Sequence, residues 1–347
     1  MARIRGLSSR ERVLRAIEHK ETDRLPRDFD AVPEKMEILV RETGLSEAQL
    51  REKFRVDMTR VWMRYNPPYT DGRNAFGLRL ASAGATQNIA EHPLAHAETV
   101  DDILNYSWPD PSWADIARAK AEALEGRRLG RAVVCSSWGS IFGEAYRLMG
   151  MDSFFMAMAA NEEVVDALVG RLTDFFLEVD RRVFAECDGL VDMAFHGNDL
   201  GTQRGLLFSR AMFRRFFAPH LARLAAQAHA HGLKTMFHSC GAVRELIGDL
   251  ADCGYDALDP VQFTADGMDP RALKRDFGSL ITFHGAVSAQ KVLPLGTEDE
   301  VRAHVQDVAS ALRPHGGYVF CSDQAVTEDT PTANILAMYD ALDTLKW

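Results

Sequence analysis

The chain has 347 residues, of which 46% are apolar and 26% charged, the balance of an ordinary folded protein rather than a disordered one. Forty basic against fifty acidic residues leave a net charge of −10, which argues against nucleic acid or an anionic membrane as the main partner. The longest apolar run, Phe154 to Ala160, falls far short of the ~20 residues needed to cross a bilayer. Met1-Ala-Arg-Ile-Arg leads into a polar helix rather than a signal core, so a cytoplasmic location is expected. In a reducing compartment Cys135, Cys187, Cys240, Cys253 and Cys321 are core residues, metal ligands or nucleophiles rather than a disulfide framework.

In chain order, Ser8-Ser-Arg-Glu11 reads as a capping box opening a helix with Val13, Leu14 and Ile17 on one face. A stretch from about 64 to 111 holds an expected hairpin, Gly77–Glu91, and a proline-rich passage. Residues 161–185 form a strong amphipathic pattern, and 209–231 another, capped by Ser209, kinked at Pro219 and ended by Gly232. Further helices are expected at 112–126, 242–253, 270–276, 297–313 and 332–345. Between the helices lie eight short apolar segments: Arg24–Phe29, Thr59–Met63, Arg131–Ser136, Leu190–Phe195, Lys234–Phe237, Asp256–Leu258, Ile281–Phe283 and Tyr318–Cys321. Strands alternating with helices predict a single (β/α)8 barrel domain over residues 1–347, with an N-terminal helical extension and an inserted hairpin region.

In such barrels chemistry sits at the C-terminal ends of the strands, and polar residues follow nearly every candidate strand here. His238 and Cys240 are two apart at the end of the fifth, so they point the same way and can share one ion. Zinc takes imidazole nitrogen and thiolate sulfur, and a catalytic site needs a third protein ligand and one open position. Cys321, ending the eighth strand, is the expected third ligand; buried reduced cysteine with a hydrogen-bonded histidine is the alternative. Glu144 is open to three readings: a fourth ligand, a base, or a helix N-terminal carboxylate favoured by the dipole. His196, Asn198 and Asp199 either orient a polar substrate or form a structural loop network, and His284 is similar. Trp62, Tyr65, Trp138 and Phe195 either wall an apolar ring-binding pocket or pack core.

With these residues on the page, the chain resembles the uroporphyrinogen decarboxylase superfamily over nearly its whole length. The resemblance rests on Arg12-Val-Leu-Arg-Ala-Ile, Thr22-Asp-Arg-Leu-Pro26, His92-Pro-Leu-Ala95, Ala97-Glu-Thr-Val-Asp-Asp102 and Trp108-Pro-Asp-Pro111. Later motifs are Asp199-Leu-Gly-Thr-Gln203, Phe237-His-Ser-Cys-Gly241, Leu258-Asp-Pro-Val-Gln262, Thr282-Phe-His-Gly285 and Asp329-Thr-Pro331. It implies the barrel, and either decarboxylase or methyltransferase chemistry. True decarboxylases carry an Arg-rich Met-Arg-Gln-Ala-Gly-Arg segment for the porphyrinogen carboxylates, where this chain has Pro26-Arg-Asp-Phe-Asp-Ala31. They also carry a His where Gln324 stands.

The methyltransferase branch is the better match. The resemblance implies zinc on His238 and Cys240, and a corrinoid (cobalamin) carried by a partner protein. Catalytic roles are then expected of Glu144, His196 and Asp199, and substrate contacts of Trp138, Asn198, His284 and Gln324. The family's distant Cys aligns with Gln324, which leaves Cys321 three residues early. The expected activity moves a methyl group between a small substrate, with a methoxylated aromatic preferred, and the corrinoid protein. The rivals are a metal-free decarboxylase or lyase acting on a small acid, and a non-catalytic corrinoid- or tetrapyrrole-binding protein. Methyl donor, acceptor, direction and oligomeric state stay open, a homodimer being one option.

Overall fold

Among the described residues nine strands form: β1 (Met58–Trp62), β2 (Arg79–Leu80), β3 (Ile89–Glu91), β4 (Ala132–Ser136), β5 (Met193–Gly197), β6 (Lys234–His238), β7 (Ala257–Val261), β8 (Thr282–Val287) and β9 (Tyr318–Ser322). The computed structural model describes residues 6–80 and 89–345; the charged start at residues 1–5, the middle of the expected hairpin at 81–88, and residues 346–347 lie outside them. β2 and β3 pair antiparallel, as the hairpin expectation required. The other seven form one parallel sheet in the order β1-β4-β5-β6-β7-β8-β9. Every one of those seven overlaps an apolar segment picked out by sequence.

The eighth segment departs from expectation. Residues 24–29 are extended but make only an isolated bridge, Arg27 to Phe320. Phe320 N donates to Pro26 O at 2.9 Å and Asp28 N to Phe320 O at 2.8 Å, while on the other side Asp57 N donates to Arg27 O at 2.7 Å. The segment therefore spans the space between β9 and β1. Pro26 has no N–H, so a regular ladder cannot form there. The result is a seven-stranded parallel sheet bridged by one irregular segment, where sequence predicts eight regular strands.

α1 (Ser9–Ile17) has the predicted capping box, with Ser8 accepting from Glu11 N. Its apolar face closes one end of the sheet interior: Val13, Ala16 and Ile17 pack on Met58, Ala132, Val134, Met193, Met236, Ala257 and Val319. Among the helices that were not expected are α2 (Pro33–Thr43) and α3 (Glu47–Lys53). Their signals are present, Pro33 at the first turn and a Ser46–Gln49 capping box, but neither stretch carries an obvious apolar stripe. The long helix Glu162–Glu186 forms as predicted. The 209–231 pattern is capped by Ser209 and runs through a π-helical turn, Phe213–Phe217, immediately before Pro219. A proline there cannot donate to the preceding turn, which accounts for the local widening.

The N-terminal elements are tied to the sheet through Asp57, whose side chain is fully buried. It accepts from Arg12 Nη1 at 2.8 Å, from Arg24 Nη1 and Nη2 at 2.7 and 2.8 Å, and from Arg27 N at 2.9 Å. Removing one partner of a buried pair leaves the other charge uncompensated. Asp57→Ala is expected to cost about 3–5 kcal/mol in denaturant unfolding, far more than replacing Glu125, whose pair with Arg128 is exposed.

Candidate active site

Strand periodicity decides which side chains meet. Residues two apart face one way, and the inward set begins with the apolar layer on α1. One step further toward the C-terminal strand ends, the same parity brings Arg60, His238, Asp259, His284 and Cys321 together around one pocket of about 100 Å³. Arg60 is its buried cation. Its Nε pairs with Asp28 at 2.8 Å, its Nη2 approaches Asp259 at 3.3 Å, and its guanidinium lies 4.9 Å from the Phe195 ring centre. Burial alone would raise the Asp28 pKa, but Arg60 outweighs it and holds the carboxyl well below its usual range. His284 lies between the two acids, with Nε2 3.3 Å from Asp28 and Nδ1 2.5 Å from Asp259.

Asp259 also reaches the second cluster. Its Oδ2 lies 2.6 Å from His238 Nδ1. That contact fixes the ring and turns Nε2 toward Cys240 Sγ at 3.3 Å and Asp199 Oδ1 at 3.4 Å. Cys240 N donates to Asp199 Oδ1 at 3.0 Å, and Gln324 Nε2 donates to Cys240 Sγ at 2.8 Å. Burial disfavours a charged His238, but the Asp199 and Asp259 carboxylates prevail and lift its pKa well above normal. The Asp199 side chain is exposed; desolvation opposes its charge, but His238 with the Cys240 N–H holds its pKa down to about 2. The loop needs Gly241 at φ +88°: a Cβ there would lie 2.6 Å from the Gly201 carbonyl carbon, so two backbones touch where the Cys240 and Asp199 loops meet.

Among the described residues, two three-residue groups converge closely enough to share an ion: Asp199–His238–Cys240, and the fully buried Asp28–His284–Cys321. Cys321 therefore sits with Asp28 and His284 and not with His238 and Cys240, contrary to its expected place as third ligand. It ends β9 three residues before Gln324, and Gln324 is the residue that reaches Cys240. Burial pushes the Cys321 thiol well up, and neighbouring Asp28 adds to this, so it stays protonated. The second group already contains a cation, Arg60.

His196 and Asn198 take the structural alternative. His196 has the opposite parity to Phe195 and faces the helical layer, fully buried, with Nε2 3.0 Å from Asp180 and Nδ1 3.1 Å from the Tyr255 hydroxyl. Asn198 accepts from Phe142 N at 2.7 Å and donates to Gly139 O at 3.2 Å, bracing the loop after β4. Neither lines the pocket, so the expected catalytic His196 and substrate-contacting Asn198 are not placed for those roles. Asp199, by contrast, belongs to the His238 cluster.

Trp138 adopts φ +76°, and its ring packs 5.2 Å from Trp62, 5.0 Å from Phe195 and 5.4 Å from His238, measured between ring centres. Gly197 makes room for it: a Cβ there would lie 2.1 Å from the indole. Trp62 and Trp138 separate the pocket from a larger cavity of about 310 Å³ that Tyr65 and Glu144 also line. Glu144 is in the first turn of its helix, Ile141–Met149. Burial raises its pKa to about 6 against the opposing pull of Arg147. It is not in the His238 group.

Sequence reasoning passed over Arg60, Asp28 and Asp259. A charged residue at inward parity inside the Thr59–Met63 strand was the available signal for Arg60. In the Pro26–Ala31 segment, Arg27 pairs with Asp343 at 2.6 Å and Asp28 with Arg60.

With this geometry in hand, the comparisons with known proteins are specific. The family model for uroporphyrinogen decarboxylase (URO-D) matches residues 74–345. The chain belongs to the URO-D family. Within the family it is similar to the methylcobamide:CoM methyltransferase MtaA of Methanosarcina barkeri, 27% identical over 137 residues, 40% of this chain and 38% of that protein. It is also similar to a uroporphyrinogen decarboxylase of Anaeromyxobacter dehalogenans, 25% identical over 144 residues, again 40% and 38%. The chain thus spans about two fifths of the length of these curated relatives. A solved methyltransferase from Methanosarcina mazei superposes with a TM-score of 0.70 over 97% of this chain and 99% of that one, at 18% identity, which establishes a shared fold. Among the described residues, no helix is long and apolar enough to cross a membrane.

Two outcomes follow from these contacts. Gly197→Ala should displace Trp138, lowering stability by about 1–3 kcal/mol and shifting tryptophan emission. Asp323, buried at the end of β9, has its pKa raised by burial from 3.8 to about 7. Its contribution to stability is therefore complete below about pH 4 and lost as pH rises through 7. Asp323→Asn should remove that loss, so urea midpoints of variant and parent diverge in the variant's favour between pH 4 and pH 7.

Proposed function

We propose that this chain is a zinc-dependent methyltransferase that moves a methyl group between a small methylated substrate and a corrinoid carried on a partner protein. The observation that carries this reading is the pairing of His238 Nε2 and Cys240 Sγ, 3.3 Å apart at the C-terminal ends of the strands, with Asp199 beside them. The donor set suits zinc: one imidazole, one sulfur and one carboxylate converge, and Asp259 binds the far nitrogen of His238, as outer carboxylates do in histidine–zinc sites. Asp199 takes the third position in place of Cys321. Zinc held there would act as a Lewis acid on an ether oxygen or a thiol sulfur.

The chain's own residues perform the rest. Asp259 fixes the ring orientation of His238 and is itself fixed by Arg60 and His284. Gln324 Nε2 donates to the Cys240 sulfur and holds it in place beside His238. Trp62, Trp138 and Phe195 form an apolar wall beside the pair that limits access of water. The name of the M. barkeri relative supports methyl transfer. The guanidinium groups a polycarboxylate would need, Arg27 and Arg60, are already paired with acids.

Metal content tests the reading. Protein purified without chelator should carry about one zinc per chain, lost in His238→Ala and Cys240→Ala but retained in Cys321→Ala. Asp259→Asn should weaken zinc binding by roughly 10–100-fold. Absence of zinc from the parent protein under metal-replete conditions would overturn the mechanism.

A further inference from the structure

The cavity of about 310 Å³ behind Trp62 and Trp138 contains one charged group with nothing assigned to it. This volume is at the small end of ligand pockets, which span about 300–1,000 Å³. Its walls are mainly aromatic: Trp62, Tyr65, Phe76, Trp138 and Phe176, with Ser137, Ser140 and Met63. Glu144 lines it, nine-tenths buried. One of its oxygens, Oε2, is buried without any hydrogen-bond partner. The other meets Arg147 at 3.4 Å, a long contact to a side chain that is itself partly exposed. Neither lysine nor arginine is among the lining residues.

A buried carboxylate with an unsatisfied oxygen costs stability unless a ligand completes it. Aromatic faces carry negative electrostatic potential and attract cations, most strongly when water is excluded. Carboxylate and rings therefore select the same sign of charge. A neutral aromatic ether would satisfy the rings and leave Glu144 unpaired, and an anion would be repelled. Five aromatic rings surround the one carboxylate, a cage suited to a methylated ammonium, and the Tyr65, Ser137 and Ser140 hydroxyls can accept any N–H that remains on it. Trp62 and Trp138 border both this cavity and the His238 pocket, so the two lie on either side of the same rings.

We propose that the cavity formed by Glu144 with the Trp62, Tyr65, Phe76, Trp138 and Phe176 rings binds a tertiary or quaternary ammonium group, making the substrate a small cation. The identification of that cation as substrate rests on the methyltransferase reading; the binding site itself does not.

Isothermal titration calorimetry of the full chain, stripped of metal, with tetramethylammonium, choline, and choline's neutral isostere 3,3-dimethyl-1-butanol tests the proposal. Tetramethylammonium and choline should bind, and the neutral alcohol at least about tenfold more weakly. Glu144→Gln should weaken tetramethylammonium binding by about tenfold or more with the thermal midpoint near that of the parent. Arg147→Gln, which removes the competing cation, should leave binding equal or tighter. Absence of binding by both cations overturns the proposal, as does equal binding of alcohol and choline, or binding insensitive to Glu144→Gln. Loss of binding in Arg147→Gln to the same extent as in Glu144→Gln would make the effect a matter of packing and also overturn it. Because the titration uses metal-free protein, failure of the zinc reading leaves its result unchanged.

Discussion

Asp259 is shared between two clusters, and the site depends on that sharing. One of its oxygens is held by Arg60 and His284, the other by His238. A carboxylate in the interior is tolerable only when paired, and Arg60 supplies the charge that makes it so. The consequence reaches the outer residues. With Asp259 fixed, His238 has one orientation, and its free nitrogen faces Cys240 and Asp199. The inner cluster is thus the scaffold of the outer one, which explains why two groups of potential ligands lie so close together while one already contains its cation.

The apolar and polar layers of the interior follow from one alternation. α1 closes one end with Val13, Ala16 and Ile17, which gives the lower inward residues an apolar surface to meet. Above it, the inward positions are no longer sealed by hydrocarbon and carry charge instead. Gly197 and Gly241 are the local concessions that let Trp138 and the Cys240 loop approach so closely. The same Trp138 ring borders both a small polar pocket and a larger aromatic cavity.

Family membership and the detailed site carry different weights. The URO-D match spans most of the chain and the M. mazei neighbour shares its fold, but curated relatives align over only about two fifths of their length. The residue arrangement is this chain's own. Gln324, three residues beyond Cys321, has the Cys240 sulfur as its partner. Asp199 then completes the group that Cys321 was expected to complete.

Local pattern was enough to mark seven strands, the capped first helix, the long helix Glu162–Glu186, and the His238–Cys240 pair. These depend on periodicity, caps and neighbours in sequence, all of which act over a few residues. Tertiary structure alone decided the rest. Whether Cys321 or Asp199 joins His238 depends on where β9 stops relative to β6. The burial of His196 follows from its parity on β5, which puts it against Asp180 on the helix that precedes that strand. Arg60 looked like an ordinary charge in a short strand because its partners, Asp28 and Asp259, lie 32 and 199 residues away in the chain. Contacts between residues so far apart have no local signature, since they are fixed by the curvature of the whole sheet and not by any neighbour in sequence.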